Sequence, residues 1–79
     1  MEVIVYSQPD CPPCSVVKMF LKEANIPFTE KNIKEDSRAR NELIKKYKSF
    51  STPTTIVDDE VIIGFDLEKL KKALKMETE

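Results

Sequence analysis

The chain has 79 residues, 41% hydrophobic and 34% charged, which fits one small globular domain (1–79) and is too short for two independent cores. Thirteen basic against fourteen acidic residues leave a net charge of -1, so no global field favours nucleic acid. Histidine is absent and glycine occurs once, which excludes imidazole-assisted nucleophiles, His-containing zinc sites and Gly-rich phosphate cradles.

No apolar run approaches the roughly 18 to 20 residues of a membrane span. Met1-Glu2-Val3 lacks the basic segment of a signal peptide, so the expected compartment is the cytoplasm. Thiols are kept reduced there, and a cysteine pair reads as catalytic or metal-binding before it reads as structural.

Val3-Ile4-Val5-Tyr6 is a β-branched and aromatic run closed by Ser7-Gln8-Pro9-Asp10, which predicts a buried strand ending in a loop. Val16, Val17, Phe20, Leu21 and Ala24 then recur at helical spacing, and this helix should stop near Asn25, ahead of Ile26-Pro27. Phe28 to Ile33 alternates as a second strand. Asp36 or Ser37 caps a helix carrying Leu43, Ile44 and Tyr47 inward, with Phe50 expected to anchor its exit loop.

Pro53 opens a strand at Thr54-Thr55-Ile56-Val57. The turn Asp58-Asp59-Glu60 leads into Val61-Ile62-Ile63, and Gly64 ends that run. Asp66 reads as the N-cap of a last helix with Leu67, Leu70 and Leu74 on one face, and Glu77-Thr78-Glu79 should fray. The order βαβαββα implies a right-handed parallel crossover followed by a hairpin: a mixed four-stranded sheet flanked by three helices.

Both cysteines lie in Cys11-Pro12-Pro13-Cys14, where the first strand passes into the first helix. The spacing lets the two sulfurs meet within one helical turn, so a disulfide can form and reopen without refolding. With Cys11 as N-cap, its sulfur sits at the positive end of the helix, where a thiolate is stabilised. Cys14, one turn inside, should be more buried and able to attack a mixed disulfide formed at Cys11.

Two other readings compete. A structural staple closing a loop of four residues gives the smallest chain-entropy return available. A metal site has only half of a tetrahedral thiolate set in this chain, so it would need a second molecule, carboxylates or a small thiol.

Tyr6-Ser7-x-x-x-Cys11-Pro12-Pro13-Cys14, Ser51-Thr52-Pro53 and Ile63-Gly64-Phe65-Asp66, in this order, resemble the glutaredoxins and the glutaredoxin-like redoxins that serve ribonucleotide reductase. The resemblance implies a thioredoxin-like fold, with Cys11 the nucleophile, Cys14 the resolving thiol and Pro53 a cis proline beside them. From the residues alone Pro53 would be an ordinary trans proline at a strand start, since only roughly 5 to 6% of X-Pro bonds are cis. The resemblance also implies that the backbone of Thr52 pairs with a bound peptide or glutathione as an added strand would. Pro12, Pro13, Gly64, Phe65 and Lys48 would contact the same partner.

The chain departs from the glutaredoxin pattern at Pro13, where a tyrosine commonly lies against glutathione, and at Ile63, where a Gly-Gly pair is frequent. Gly64-Phe65 instead resembles the ribonucleotide-reductase redoxins. No tightly bound cofactor or metal is expected. Reducing equivalents would come from glutathione or an NADPH-dependent flavoprotein such as thioredoxin reductase, and Pro13 and Ile63 favour the flavoprotein.

Pro13 also removes one of the N-H groups that would face a cap sulfur, leaving the Cys14 amide as its main backbone donor. Asp10 places a negative charge directly before Cys11, and Lys18 is the nearest basic residue in sequence. Cys11 should therefore titrate below a free cysteine but less acidically than in Cys-Pro-Tyr-Cys glutaredoxins, making the couple more reducing.

Arg38, Arg40, Lys45, Lys46 and Lys48 gather basic charge on the second helix and its exit. They read first as a solvated face paired with Glu35 and Glu42. Phe65 fits either a core plug or a partner contact, and Tyr6 fits the core.

The expected activity is reduction of protein or glutathione-mixed disulfides through Cys11 and Cys14 by a monomeric cytoplasmic protein, with ribonucleotide reductase among the candidate partners and neither nucleic acid nor membrane. The alternative is a dimer binding a metal or iron-sulfur cluster through Cys11, and a third is an adaptor without redox turnover.

Overall fold

The computed structural model describes residues 2–75, so the fraying expected of Glu77-Thr78-Glu79 lies outside the described residues. The elements follow the expected order: β1 (Val3–Ser7), α1 (Pro12–Glu23), β2 (Thr29–Asn32), α2 (Ser37–Lys45), β3 (Thr54–Val57), β4 (Glu60–Ile63) and α3 (Leu67–Ala73). They form one mixed sheet in the order β2-β1-β3-β4, with β1 parallel to β2 and the β1/β3 and β3/β4 pairs antiparallel.

Alternation along β1 divides the core. Val3 and Val5 pack with Val17 and Leu21 of α1 and with Leu70, Ala73 and Leu74 at α3, and Phe20, Ile26 and Phe28 flank this cluster. Ile4 and Tyr6 face the other side, against Ala39 and Leu43 of α2, Ile33 and Tyr47. The same parity runs through β3, where Val57 joins the first cluster and Ile56 the second. Helices thus cover both faces, as a parallel β1/β2 crossover requires.

Helix α1 ends at Ala24, and Asn25 turns left-handed at φ 60°. The β3–β4 turn is tighter than expected: Glu60 is already the first residue of β4, and Asp58 takes φ 56°. Lys48 and Lys75 are also left-handed, as is Gly64 at φ 76°.

Three expectations need correction. Phe50 does not anchor the α2 exit loop; it is 80% exposed, because Ser49 turns inward instead. The Ser49 hydroxyl bonds the Thr54 hydroxyl at 2.8 Å and the Ser51 carbonyl, and the neighbouring side chain must then point outward. Leu67, in the first turn of α3, is 36% exposed and only borders the face formed by Leu70 and Leu74. Glu42 pairs with Lys31 of β2 at 3.0 Å rather than with the basic residues of its own helix.

Among the described residues no helix is long and apolar enough to cross a membrane.

Candidate active site

Buried β1 delivers the chain to the end of the sheet at its own carboxyl terminus, and the loop after it turns at Asp10, whose backbone is left-handed at φ 57°. Cys11 then caps α1 in an extended conformation, with Pro12 and Pro13 filling the first two helical positions. Proline suits a first turn, where N-H groups lack intrahelical partners and φ is already near the ring's fixed value.

Cys11 and Cys14 are joined by a disulfide, their Cα atoms 5.2 Å apart. The Cys14 amide donates to Cys11 Sγ at 3.3 Å, as the cap position requires. Cys14 is 1% exposed, whereas Cys11 is partly open to solvent, as expected of a cysteine one turn inside the helix against one at its cap. Asp10, Cys11, Pro12 and Ser15 line an open depression of about 490 Å³.

Opposite lies the Thr52-Pro53 peptide, which is cis. Thr52 Oγ1 is 3.8 Å from Cys11 Sγ. Pro53 is buried, and its carbonyl accepts the Gly64 N-H at 2.7 Å, which ties the loop before α3 to the dithiol. Among the described residues no backbone hydrogen bond occupies the Thr52 N-H or carbonyl. Beneath this peptide, the Thr54 hydroxyl donates to the Ser51 carbonyl at 2.7 Å and shares a hydrogen bond with Ser49.

Cys11, Cys14, Pro12, Thr52, Pro53 and Gly64 are therefore brought together by contact. Phe65 is 44% exposed beside Gly64, so it is not a core plug. Pro13 is exposed on the first turn of α1. Lys48 is exposed in the loop leading to Thr52 and makes no ion pair among the described residues.

Sequence reasoning missed the Ser49–Ser51–Thr54 support and the place of Ser15 at the rim. The hydroxyl-rich stretch 49–55 was the available signal for the first.

Two polar networks flank the site. Lys18, the nearest basic residue in sequence to Cys11, is held by Glu30 at 2.7 Å, and Glu30 also accepts from the buried Ser7 hydroxyl. The hydrogen bond from Lys18, then that from Ser7, holds the Glu30 carboxyl below its ordinary pKa. On the other face the buried Tyr6 hydroxyl donates to Glu42 at 2.6 Å. Burial first, and Glu42 second, pushes the phenol well above its ordinary value, so Tyr6 is a core residue. The bonds from Tyr6 and Lys31 in turn hold Glu42 below the usual carboxylate range.

The arrangement supplies a disulfide with one accessible sulfur and, beside it, the Thr52 backbone, which makes no backbone hydrogen bond among the described residues. Comparison with known proteins agrees with it. The glutaredoxin family model matches residues 3–62. A glutaredoxin-like 8.6 kDa protein in the rubredoxin operon of Clostridium pasteurianum is 32% identical over 71 residues, covering 90% of this chain and 95% of that protein. The crystal structure of the thioredoxin-like protein BC3987 superposes with a TM-score of 0.88 at 50% identity, over 91% of this chain and 99% of that one. The glutaredoxin-like NrdH-redoxin of Escherichia coli shares the fold, with a TM-score of 0.80 at 22% identity over 91% of this chain and 93% of that one. This chain belongs to the glutaredoxin family.

Proposed function

We propose that residues 1–79 act as one domain that reduces protein disulfides by a dithiol mechanism. The observation that carries this reading is the Cys11–Cys14 disulfide at the start of α1, its accessible sulfur facing the Thr52-Pro53 peptide. A reductant delivers two electrons and two protons, opening the disulfide to two thiols. Cys11 thiolate attacks one sulfur of a substrate disulfide, forming a mixed disulfide and releasing the first product thiol. Cys14 thiolate then attacks Cys11 Sγ, the second product leaves as a thiol, and the Cys11–Cys14 bond is restored.

The free backbone of Thr52 would pair with the substrate chain, with Pro53 packed against it. Pro12, Pro13, Gly64, Phe65 and Lys48 form the rim of the same contact. Because Pro13 has no N-H, the Cys14 amide is the principal local donor to the Cys11 thiolate, which supports a less acidic thiol and a more reducing couple than in Cys-Pro-Tyr-Cys relatives.

The protein works as a cytoplasmic monomer on protein disulfides, ribonucleotide reductase among the candidates, and needs no tightly bound cofactor. Pro13 and Ile63 favour a flavoprotein reductase over glutathione. The thioredoxin-like activity profile named for the Escherichia coli NrdH-redoxin points the same way.

Cys14→Ser should accumulate a mixed disulfide with a protein substrate, visible as a mass adduct on Cys11, and Cys11→Ser should show no exchange. Adduct formation by Cys11→Ser, or none by Cys14→Ser, overturns the assignment. Oxidised protein should be reduced faster by NADPH with thioredoxin reductase than by glutathione.

A further inference from the structure

The first turn of α1 is unusual for an exposed helix start. Pro12 and Pro13 have no N-H, the Cys14 N-H is engaged by Cys11 Sγ, and the Ser15 N-H donates to the Cys11 carbonyl at 3.2 Å. Of the four N-H groups that a helix start leaves without intrahelical partners, Pro12 and Pro13 lack theirs and that of Cys14 is engaged, so among the described residues only the Cys11 N-H is left to meet an anion. The depression in front of Cys11 is lined by Asp10, Cys11, Pro12 and Ser15, with no basic side chain on its wall. Lys18, one turn further along, is bound to Glu30. Asp10 has no ion-pair partner among the described residues, and its carboxylate is the one formal charge among the residues that line the depression.

We propose that Asp10 is a charge filter at the dithiol, favouring disulfides flanked by cationic groups, such as a partner cysteine with Lys or Arg beside it, and disfavouring anionic thiols and disulfides. The inference rests on the exchange chemistry proposed above and adds the charge of the partner to it. A cationic group in the depression meets the Asp10 carboxylate at short range. A carboxylate there meets the same charge with at most the Cys11 N-H to compensate. Glutathione, with two carboxylates against one ammonium, falls on the disfavoured side, while a reductase or substrate segment with basic residues next to its cysteine falls on the other. The chemical step is unchanged: Cys11 thiolate forms a bond to one sulfur of the disulfide, and the other sulfur leaves as a thiolate with the electron pair of the broken S-S bond.

The test follows the reaction of reduced protein with three small disulfides: cystamine, which is dicationic, dithiodiglycolate, which is dianionic, and hydroxyethyl disulfide, which is neutral. Asp10→Asn removes the charge and keeps a residue that tolerates left-handed backbone. At low ionic strength the ratio of the cystamine to the dithiodiglycolate rate constant should fall about three- to tenfold in Asp10→Asn, while the neutral disulfide reports the change in Cys11 ionisation that is common to all three and cancels in the ratio. Asp10→Lys should lower the ratio further, and high salt should erase the difference between wild type and both variants.

An unchanged ratio in Asp10→Asn overturns the filter. So does an equal change with all three disulfides, which would mean that Asp10 acts only through the ionisation of Cys11. Failure of the wild-type protein to react even with the neutral disulfide would remove the exchange reading itself, and the filter with it. A filter that fails alone leaves the neutral reaction intact, so the two failures are distinguishable.

Discussion

The three helices begin in nearly the same way, and the difference between them lies in one atom. Cys11, Asp36 and Asp66 all cap in an extended conformation, at φ/ψ of -123°/93°, -118°/98° and -118°/93°. Asp36 accepts from the amides of Arg38 and Ala39, and Asp66 from that of Lys69. At α1 a sulfur accepts from the Cys14 amide, the counterpart of Ala39 and Lys69, and Pro13 stands at the position whose amide Asp36 takes from Arg38. The redox group thus occupies a capping position, and the helix-start electrostatics that stabilise a carboxylate at α2 are available to a thiolate at α1.

The comparison can be broken by exchanging roles at the caps. The largest effect should come from Cys11→Ser, which keeps a favourable N-cap oxygen and loses the nucleophile. Exchange activity should vanish while denaturant stability, measured against reduced wild type, changes by less than about 1 kcal/mol. A large loss of stability would show that the sulfur does more than cap.

Asp36→Ala removes a purely structural cap and should cost about 1 kcal/mol, lowering Tm by about 4–8 °C, with disulfide-exchange rates unchanged. Thermal melts and exchange kinetics on the same preparation would check this. Pro13→Ala is expected to give the smallest change. It returns an N-H to the first turn and should lower the Cys11 pKa, read from thiolate absorbance against pH. A rise would mean that the rigid Pro-Pro pair, rather than its missing donor, governs the thiolate.

The elements were legible because their patterns are local. The run Val3 to Tyr6, the helical recurrence from Val17 to Leu21 and the caps Asp36 and Asp66 each carry their signal within one turn or one strand. The dithiol and its place at a strand-to-helix junction were legible for the same reason. The cis state of Thr52-Pro53 came only through resemblance, since no residue beside Pro53 distinguishes it from a trans proline.

What sequence could not supply were choices made across elements. Ser49 turns inward and displaces Phe50 because Thr54 and the Ser51 carbonyl wait for its hydroxyl. Glu42 takes Lys31 and Tyr6 instead of its helix neighbours because β2 and β1 bring them closer. Phe65 is exposed because Gly64 is tied to Pro53 and turns the chain outward before α3.

Among the described residues, five other than glycine hold left-handed backbone: Asp10, Asn25, Lys48, Asp58 and Lys75. Asn and Asp tolerate that region through local hydrogen bonding, but lysine has no such compensation, and the conformation costs a side-chain-bearing residue about 1–2 kcal/mol. Lys48 and Lys75 are therefore sites where glycine would relax the folded backbone while loosening the unfolded chain, two effects of similar size and opposite sign. Gly64 differs from both. A Cβ there would meet nothing within 4 Å, so the space around it does not require glycine, and its φ of 76° alone does. The one glycine in the chain is thus set by the direction the backbone must take between β4 and α3, which makes that turn a hinge of fixed geometry joining the last helix to the peptide that faces the reactive sulfur.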